Sequence, residues 1–132
     1  MSKVFEHKVR IYYEDTDFGG VVYYANYLKF AERARTEMLR ELGVNQNQLA
    51  QTSNILFVVK DCKIKYHGSA SIDDELRVIS GVKKLSPASI RMEQKVFLHD
   101  KLITDIDVLI VSVNDELQVV KLPLDLKKKF VT

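Results

Sequence analysis

The chain has 132 residues, 46% of them hydrophobic and 29% charged, with 20 Lys+Arg against 18 Asp+Glu and a net charge of +2. That length suits one domain burying about two-thirds of its unfolded surface, and so even a balance of charge excludes a dedicated nucleic-acid binder. The one cysteine, Cys62, rules out an intrachain disulfide and a cysteine-rich zinc site, which suits a reducing compartment.

No apolar run approaches the ~20 residues needed to cross a bilayer, and the first residues carry charges where a signal peptide is apolar. The expected location is the cytoplasm.

Alternation predicts a first strand over Val4–Tyr13, with Phe5, His7, Val9, Ile11 and Tyr13 on one face and Glu6, Lys8 and Arg10 on the other. The following EDTDFGG ends regular pairing. A long helix is expected from Ala25 to Leu42. Tyr27, Phe30, Ala31, Ala34, Met38 and Leu42 recur at spacings of three and four, Gly43 is placed to close it, and Asn26 is a candidate cap. Strands are then expected at Ile55–Tyr66, Leu76–Lys84, Ser89–Leu98 and Ile103–Val113, with a short last one at Leu117–Lys121. Breakers at Ser86-Pro87, His99-Asp100-Lys101 and Asn114-Asp115 separate the later ones. Connections this short predict antiparallel neighbours in a meander.

With no repeat or linker, the whole of 1–132 reads as one domain. An antiparallel sheet must cover its apolar face. One long helix lying across a strongly curved sheet does so, which makes the fold class α+β of the hotdog type; cystatin-like and ferredoxin-like arrangements fit the pattern less well.

The segment Tyr12–Leu28, YYEDTDFGGVVYYANYL, is the one that suggests chemistry. Gly19 and Gly20 let backbone approach a ligand closely. The start of the long helix presents unpaired N–H groups and the positive end of its dipole to a carbonyl oxygen gaining charge. Asp17, a few residues upstream, is the candidate nucleophile or the base for water. A solvated Asp/Gly turn is the competing reading of these residue types.

The same residues resemble a known signature. Tyr12–Asp17, then Gly20, Val21, Val22, Tyr23, Ala25, Asn26 and Tyr27, are similar to the 4-hydroxybenzoyl-CoA thioesterase branch of the hotdog superfamily, and to its YbgC-type, Tol-Pal-associated acyl-CoA thioesterases. Glu32–Glu37, Leu39 and Arg40 continue the likeness, as do Phe57-Val58-Val59, Tyr66 and Ile72-Asp73-Asp74-Glu75-Leu76. The resemblance implies hydrolysis of acyl-CoA to a free acid and CoA, with no metal and no redox cofactor. It implies Asp17 as the catalytic aspartate and the Tyr24 backbone amide as the group that polarises the thioester carbonyl. Many YbgC-type members carry histidine at the place of Tyr24; the backbone donor survives that change, while an imidazole role does not.

Candidate substrate contacts follow. Asp15 shares the loop with Asp17, either facing the site or organising the turn, and Gly20 and Val21 line its far side. Tyr23 and Tyr27 are placed to pack against the acyl group, Tyr27 also fitting the core face of the helix. His67 borders the pocket by following Tyr66. Lys83, Lys84 and Ser89, near the Ser86-Pro87 turn, are candidates for the nucleotide of CoA, as is the basic tail Lys127–Lys129 less directly. Glu32 reads as structural rather than catalytic. Cys62, in phase with Val58, Ile64 and Tyr66, reads as a buried core thiol. His7, His67 and His99 lack metal-ligand spacing.

The expected partners are acyl-CoA, a second copy in a homodimer or tetramer with the site between protomers, and an acyl carrier protein as alternative donor. Two rival readings are a hydratase or dehydratase, which wants a histidine beside its acid, and a non-catalytic acyl-CoA-binding scaffold linked to envelope or phospholipid metabolism.

Overall fold

The computed structural model describes residues 3–131. Strand β1 (Val4–Arg10) leads into helix α1 (Asn26–Glu41), a short helix α2 (Gln46–Ser53), strands β2 (Leu56–Tyr66), β3 (Glu75–Ser86), β4 (Ser89–Leu98) and β5 (Lys101–Val113), and a last helix α3 (Leu124–Lys129). The strands form one antiparallel sheet in the order β1-β3-β4-β5-β2. Helix α1 lies across one face of this sheet, as the amphipathic pattern requires. It buries Tyr27, Phe30, Ala31, Ala34, Met38 and Leu39, while Leu42 is only half-buried. Gly43 follows at φ 81°, the left-handed position that ends the helix without a Cβ clash. This is the expected α+β hotdog arrangement.

One polar residue sits at the centre of the helix–sheet contact. Gln94 on β4 is fully buried, and its Nε2 donates to Ala31 O and to Ser80 Oγ, both at 2.9 Å. Its Oε1 accepts from the Arg35 guanidinium at 2.9 Å. A buried amide tolerates its environment only when both ends are satisfied, so this set fixes how α1 sits over β3 and β4.

Several expectations are corrected. The first strand ends at Arg10, and Tyr13 begins a 3-10 turn over Tyr13–Asp15 with its ring 81% exposed instead of facing inward. Asn26 does not cap α1, whose N-cap is Ala25. Strand β2 is not in the meander; it pairs with β5 at the far edge, and only β3-β4-β5 run as consecutive hairpins. The link 67–74 crosses the end of the sheet because it finds partners of its own, Ala70 O taking the Val22 amide at 2.8 Å and Ser71 O the Asp74 amide at 3.1 Å. Leu117–Lys121 forms no strand, only an isolated bridge from Val119 to Val113, with Leu117 at φ 62°. Helices α2 and α3 were not expected. Helix α2 is polar, but Asn45 caps it by accepting from the Gln48 amide at 2.9 Å, and Asn54 ends it at φ 52°. Helix α3 carries the basic run Lys127–Lys129 and drives Leu126 and Phe130 into the core.

Cys62 is exposed, against expectation. A bulge between Val59 and Asp61 shifts the phase, so Val59 opposite Ile110, and not Val58, shares the face of Cys62 opposite Val108. That is the helix side of the sheet, but β2 is an edge strand and α1 does not cover it there. Partial burial still pushes the thiol's pKa up, with the nearby Arg35 acting in the opposite sense.

Two buried hydroxyls, Tyr27 Oη and Thr104 Oγ1, have no hydrogen-bond partner among the described residues. Burial pushes the Tyr27 phenol above its ordinary pKa; the Ala70 amide leans toward it and opposes the shift without reaching hydrogen-bond geometry.

Two substitutions test this packing. Phe130→Ala, at a side chain 1% exposed, is expected to lower unfolding free energy by about 3–5 kcal/mol in urea titration; a change under 1 kcal/mol would show that α3 is only loosely applied. Tyr27→Phe removes an unpaired buried hydroxyl, so stability should hold or rise by about 1 kcal/mol. A loss of that size would instead reveal a bound water on Oη.

Candidate active site

The residues from Asp15 to Tyr23 fold back on themselves as a small hairpin. Asp15 O accepts from the Tyr23 amide at 3.0 Å, Thr16 bridges Val22, and the Asp17 amide donates to Val21 O at 2.9 Å. The turn closes with the Gly20 amide on Asp17 O at 3.0 Å, Gly20 taking φ 82°. That conformation is why glycine stands there. Val21 in turn bridges Ser71, so the hairpin leans on the link between β2 and β3.

At the hairpin tip the Asp17 carboxylate is exposed. Its Oδ1 accepts from the Gly19 amide at 2.8 Å, which holds the side chain against its own turn. Its Oδ2 has no hydrogen-bond partner among the described residues. Asp15 does different work: its carboxylate accepts from the Tyr12 amide at 2.9 Å, and its carbonyl also takes Asn26 Nδ2 at 2.9 Å. It organises the loop and ties it to the first turn of α1.

The Tyr24 amide, at the entrance to α1, donates to nothing among the described residues, while Asn26 N already bonds Tyr23 O at 2.8 Å. A string of rings runs back from it. Tyr23 and Tyr24 lie 5.0 Å apart, Tyr24 meets Tyr66 edge-on at 5.9 Å, and Tyr66 meets the buried Tyr27 at 6.0 Å. Tyr66 Oη donates to Tyr24 O at 3.2 Å, bracing the peptide just before the helix. Neither this brace nor the Asn26 tie was singled out from sequence. Tyr66 stood out only as part of a resemblance, and a bond between residues 42 apart in sequence has no local signal.

The Ile72–Leu76 motif supports the same corner. Asp73 takes φ 72°, its amide bonds Ile11 O at 2.9 Å, and Asp74 Oδ2 accepts the Ser71 amide at 2.8 Å. The end of β1, the start of β3 and the hairpin are thus fastened together.

The remaining candidates divide by place. Gly20, Val21, Tyr23, Tyr24 and Tyr27 cluster with Asp15 and Asp17, and exposed His67 follows one residue after Tyr66. Lys83, Lys84 and Ser89 lie at the opposite end of β3 and β4, about 30 Å away at the rise of an extended strand. Lys83 there is engaged by Asp107 at 3.1 Å and Glu93 at 3.9 Å. Partial burial works to raise the Asp107 carboxyl, but its hydrogen bonds from Lys83 and Arg91 outweigh that and hold it below the usual carboxylate range. Lys84 is exposed and makes no ion pair among the described residues. No group of three His, Cys, Asp or Glu is placed to hold a metal among the described residues.

A cavity of about 310 Å³ opens between α1 and the edge strand β2, with Glu32, Arg35, Phe57, Val58 and Val59 among its walls. The long β2 edge beside it leaves Val58 36%, Val59 49% and Tyr66 42% exposed. No helix among the described residues is long and apolar enough to cross a membrane.

The thioesterase-like superfamily matches residues 11–130. Acyl-CoA thioesterase YbgC of Haemophilus influenzae is 40% identical over 127 residues, spanning 96% of this chain and 93% of that protein. A probable thioesterase from Bartonella henselae superposes at TM-score 0.88 with 35% identity, over 92% of this chain and 100% of that one. A 4-hydroxybenzoyl CoA thioesterase mutant complexed with 4-hydroxybenzoyl CoA shares the fold at TM-score 0.89 and 20% identity, over 96% and 98% of the two chains. The resemblance read from the Tyr12–Tyr27 motif is thereby borne out: this chain belongs to the thioesterase-like superfamily, as a hotdog-fold member of the YbgC type.

Proposed function

We propose that the protein hydrolyses an acyl-CoA thioester to a free carboxylic acid and CoA, using Asp17 and the Tyr24 backbone amide. The supporting observation is that one hairpin carries a carboxylate with an unengaged oxygen and leads directly into an unengaged amide. In the hairpin register Tyr23 lies across from Asp15, two residues before Asp17, and Tyr24 follows it directly.

In this reading the thioester carbonyl oxygen accepts from Tyr24 N–H as it gains negative charge, assisted by the N-terminus of α1. Asp17 then acts by one of two routes. Either its carboxylate attacks the carbonyl carbon, expelling CoA thiolate and leaving a mixed anhydride that water opens, or it takes a proton from water as the water attacks. Both routes consume one water and release one acid and one thiol, with no metal or redox cofactor drawn upon. The tyrosine at position 24 keeps the backbone donor. The acyl-carrier thioester offers the same reacting atoms and is an alternative donor. A free thiol at Cys62 suits the proposed cytoplasmic setting.

A site this open needs a second surface to exclude water. We assign that surface to a second copy. Strand β2 is long, lies at the sheet edge and exposes its apolar residues, which fits edge-to-edge pairing about a two-fold axis. Antiparallel pairing reverses the second sheet, carrying the Lys84 and Ser89 end of one protomer toward the Asp17 end of the other. That resolves the separation of about 30 Å within one chain. Two such dimers joined would make the tetramer.

Asp17→Asn should lower kcat at least ~100-fold in a thiol-release assay over short, long, branched and aromatic acyl-CoAs and an acyl carrier protein thioester. Full activity in that variant would refute the assignment. Binding without thiol release from any donor would favour the scaffold reading. In a single turnover in oxygen-18 water, label found in Asp17 establishes the anhydride route, since water opening the anhydride at the Asp17 carbonyl leaves it there and general-base attack does not.

A further inference from the structure

Two groups carry the proposed hydrolysis, and one residue bonds to the backbone behind both of them. Asn26, half-buried and first in α1, donates its own amide to Tyr23 O at 2.8 Å. Its side-chain Nδ2 donates to Asp15 O at 2.9 Å.

The first bond acts on the donor to the thioester carbonyl. Tyr23 O and Tyr24 N–H belong to one peptide, and in a trans peptide they point in opposite directions within a rigid plane. With Tyr23 O drawn toward Asn26 N, Tyr24 N–H must face outward from the start of the helix. There it donates to nothing among the described residues. Any rotation of that plane that re-aims the N–H also pulls Tyr23 O off Asn26.

The second bond acts on the carboxylate. Asp15 stands two residues before Asp17 in the hairpin, whose pairing continues through the Asp17 amide on Val21 O. Asp15 O also accepts the Tyr23 amide, but that bond lies within the hairpin and leaves its angle to the helix open. Asn26 Nδ2 closes the angle, because the Asn26 backbone is already part of α1. Tyr66 Oη braces the next peptide, at Tyr24 O, and reaches nothing in the hairpin among the described residues. A carbonyl oxygen only accepts, so the tie needs a side chain that presents a donor.

We infer that Asn26 is a positioning residue for the hydrolysis, aiming the Tyr24 N–H and the Asp17 carboxylate at one thioester without touching it. This role rests on the reaction proposed above. A misplacement of ~1 Å between reacting groups can cost about 100-fold in rate. Grip on the rest of an acyl-CoA does not pass through Asn26, so its loss falls on kcat and spares KM.

Steady-state thiol release by the intact protein, read well below each variant's unfolding midpoint, tests this role. Asn26→Leu removes the donor without adding charge, and Asn26→Asp removes it without changing shape. Each should lower kcat roughly 10- to 100-fold and leave KM within about threefold of wild type. A folded Asn26→Leu or Asn26→Asp protein with wild-type kcat, or a loss carried by KM alone, would overturn the assignment. Either variant decides if the other fails to fold. Asp17→Asn assayed alongside separates the two kinds of failure: full activity there refutes the reaction itself. An inactive Asp17→Asn beside fully active Asn26 variants refutes only the positioning.

Discussion

The carbonyl oxygen of Asp15 takes two hydrogen bonds, one from the Tyr23 amide and one from the Asn26 side chain. Through that atom the hairpin and the first turn of α1 become one body. Rotating the hairpin away would cost both bonds, and leave Asn26, half-buried at the helix entrance, without its acceptor. Asp17 and the Tyr24 amide therefore hold a fixed relation without touching each other. The position of α1 over the sheet is set separately by Gln94, so the site is located by two polar anchors at opposite levels of the helix.

Much of this was legible in the chain. The alternation of Phe5, His7, Val9 and Ile11 and the three-and-four spacing of Tyr27, Phe30, Ala31, Ala34 and Met38 each report on a single element meeting a single face, and such periodicities survive tertiary folding. The hairpins at Ser86-Pro87 and His99-Asp100 were equally plain. Strand order was not. Nothing local in Ile55–Tyr66 says that its neighbour is β5 and not β3, because pairing partners are chosen by the whole sheet. Helix α2 escaped because six polar residues around the half-buried Leu49 and Ala50 give no apolar stripe, although Asn45 and Asn54 marked its ends. Cys62 misled because phase predicts a face and not whether anything covers that face.

At the site the balance differs. Asp17 and the glycines drew notice by type, and the motif gave them meaning. What made the corner rigid, namely Tyr66 on Tyr24 O, Asn26 on Asp15 O and Asp74 on the Ser71 amide, joins residues distant in sequence or uses backbone atoms that every residue possesses. The oriented charge of Arg35 was invisible for the same reason: in sequence it is one more cation on an amphipathic helix.

Strand β2 also bears on solubility. A sheet edge eleven residues long invites further strands, and repeated addition would yield fibrils. Lys60, Lys63 and Lys65 stand exposed along it, with Lys60 displaced at the bulge, so uncontrolled growth meets repulsion between like charges. At the opposite edge, β1 is short and sets Glu6, Lys8 and Arg10 outward. A sheet armed in this way discourages an open-ended series of added strands, which keeps the polypeptide dispersed.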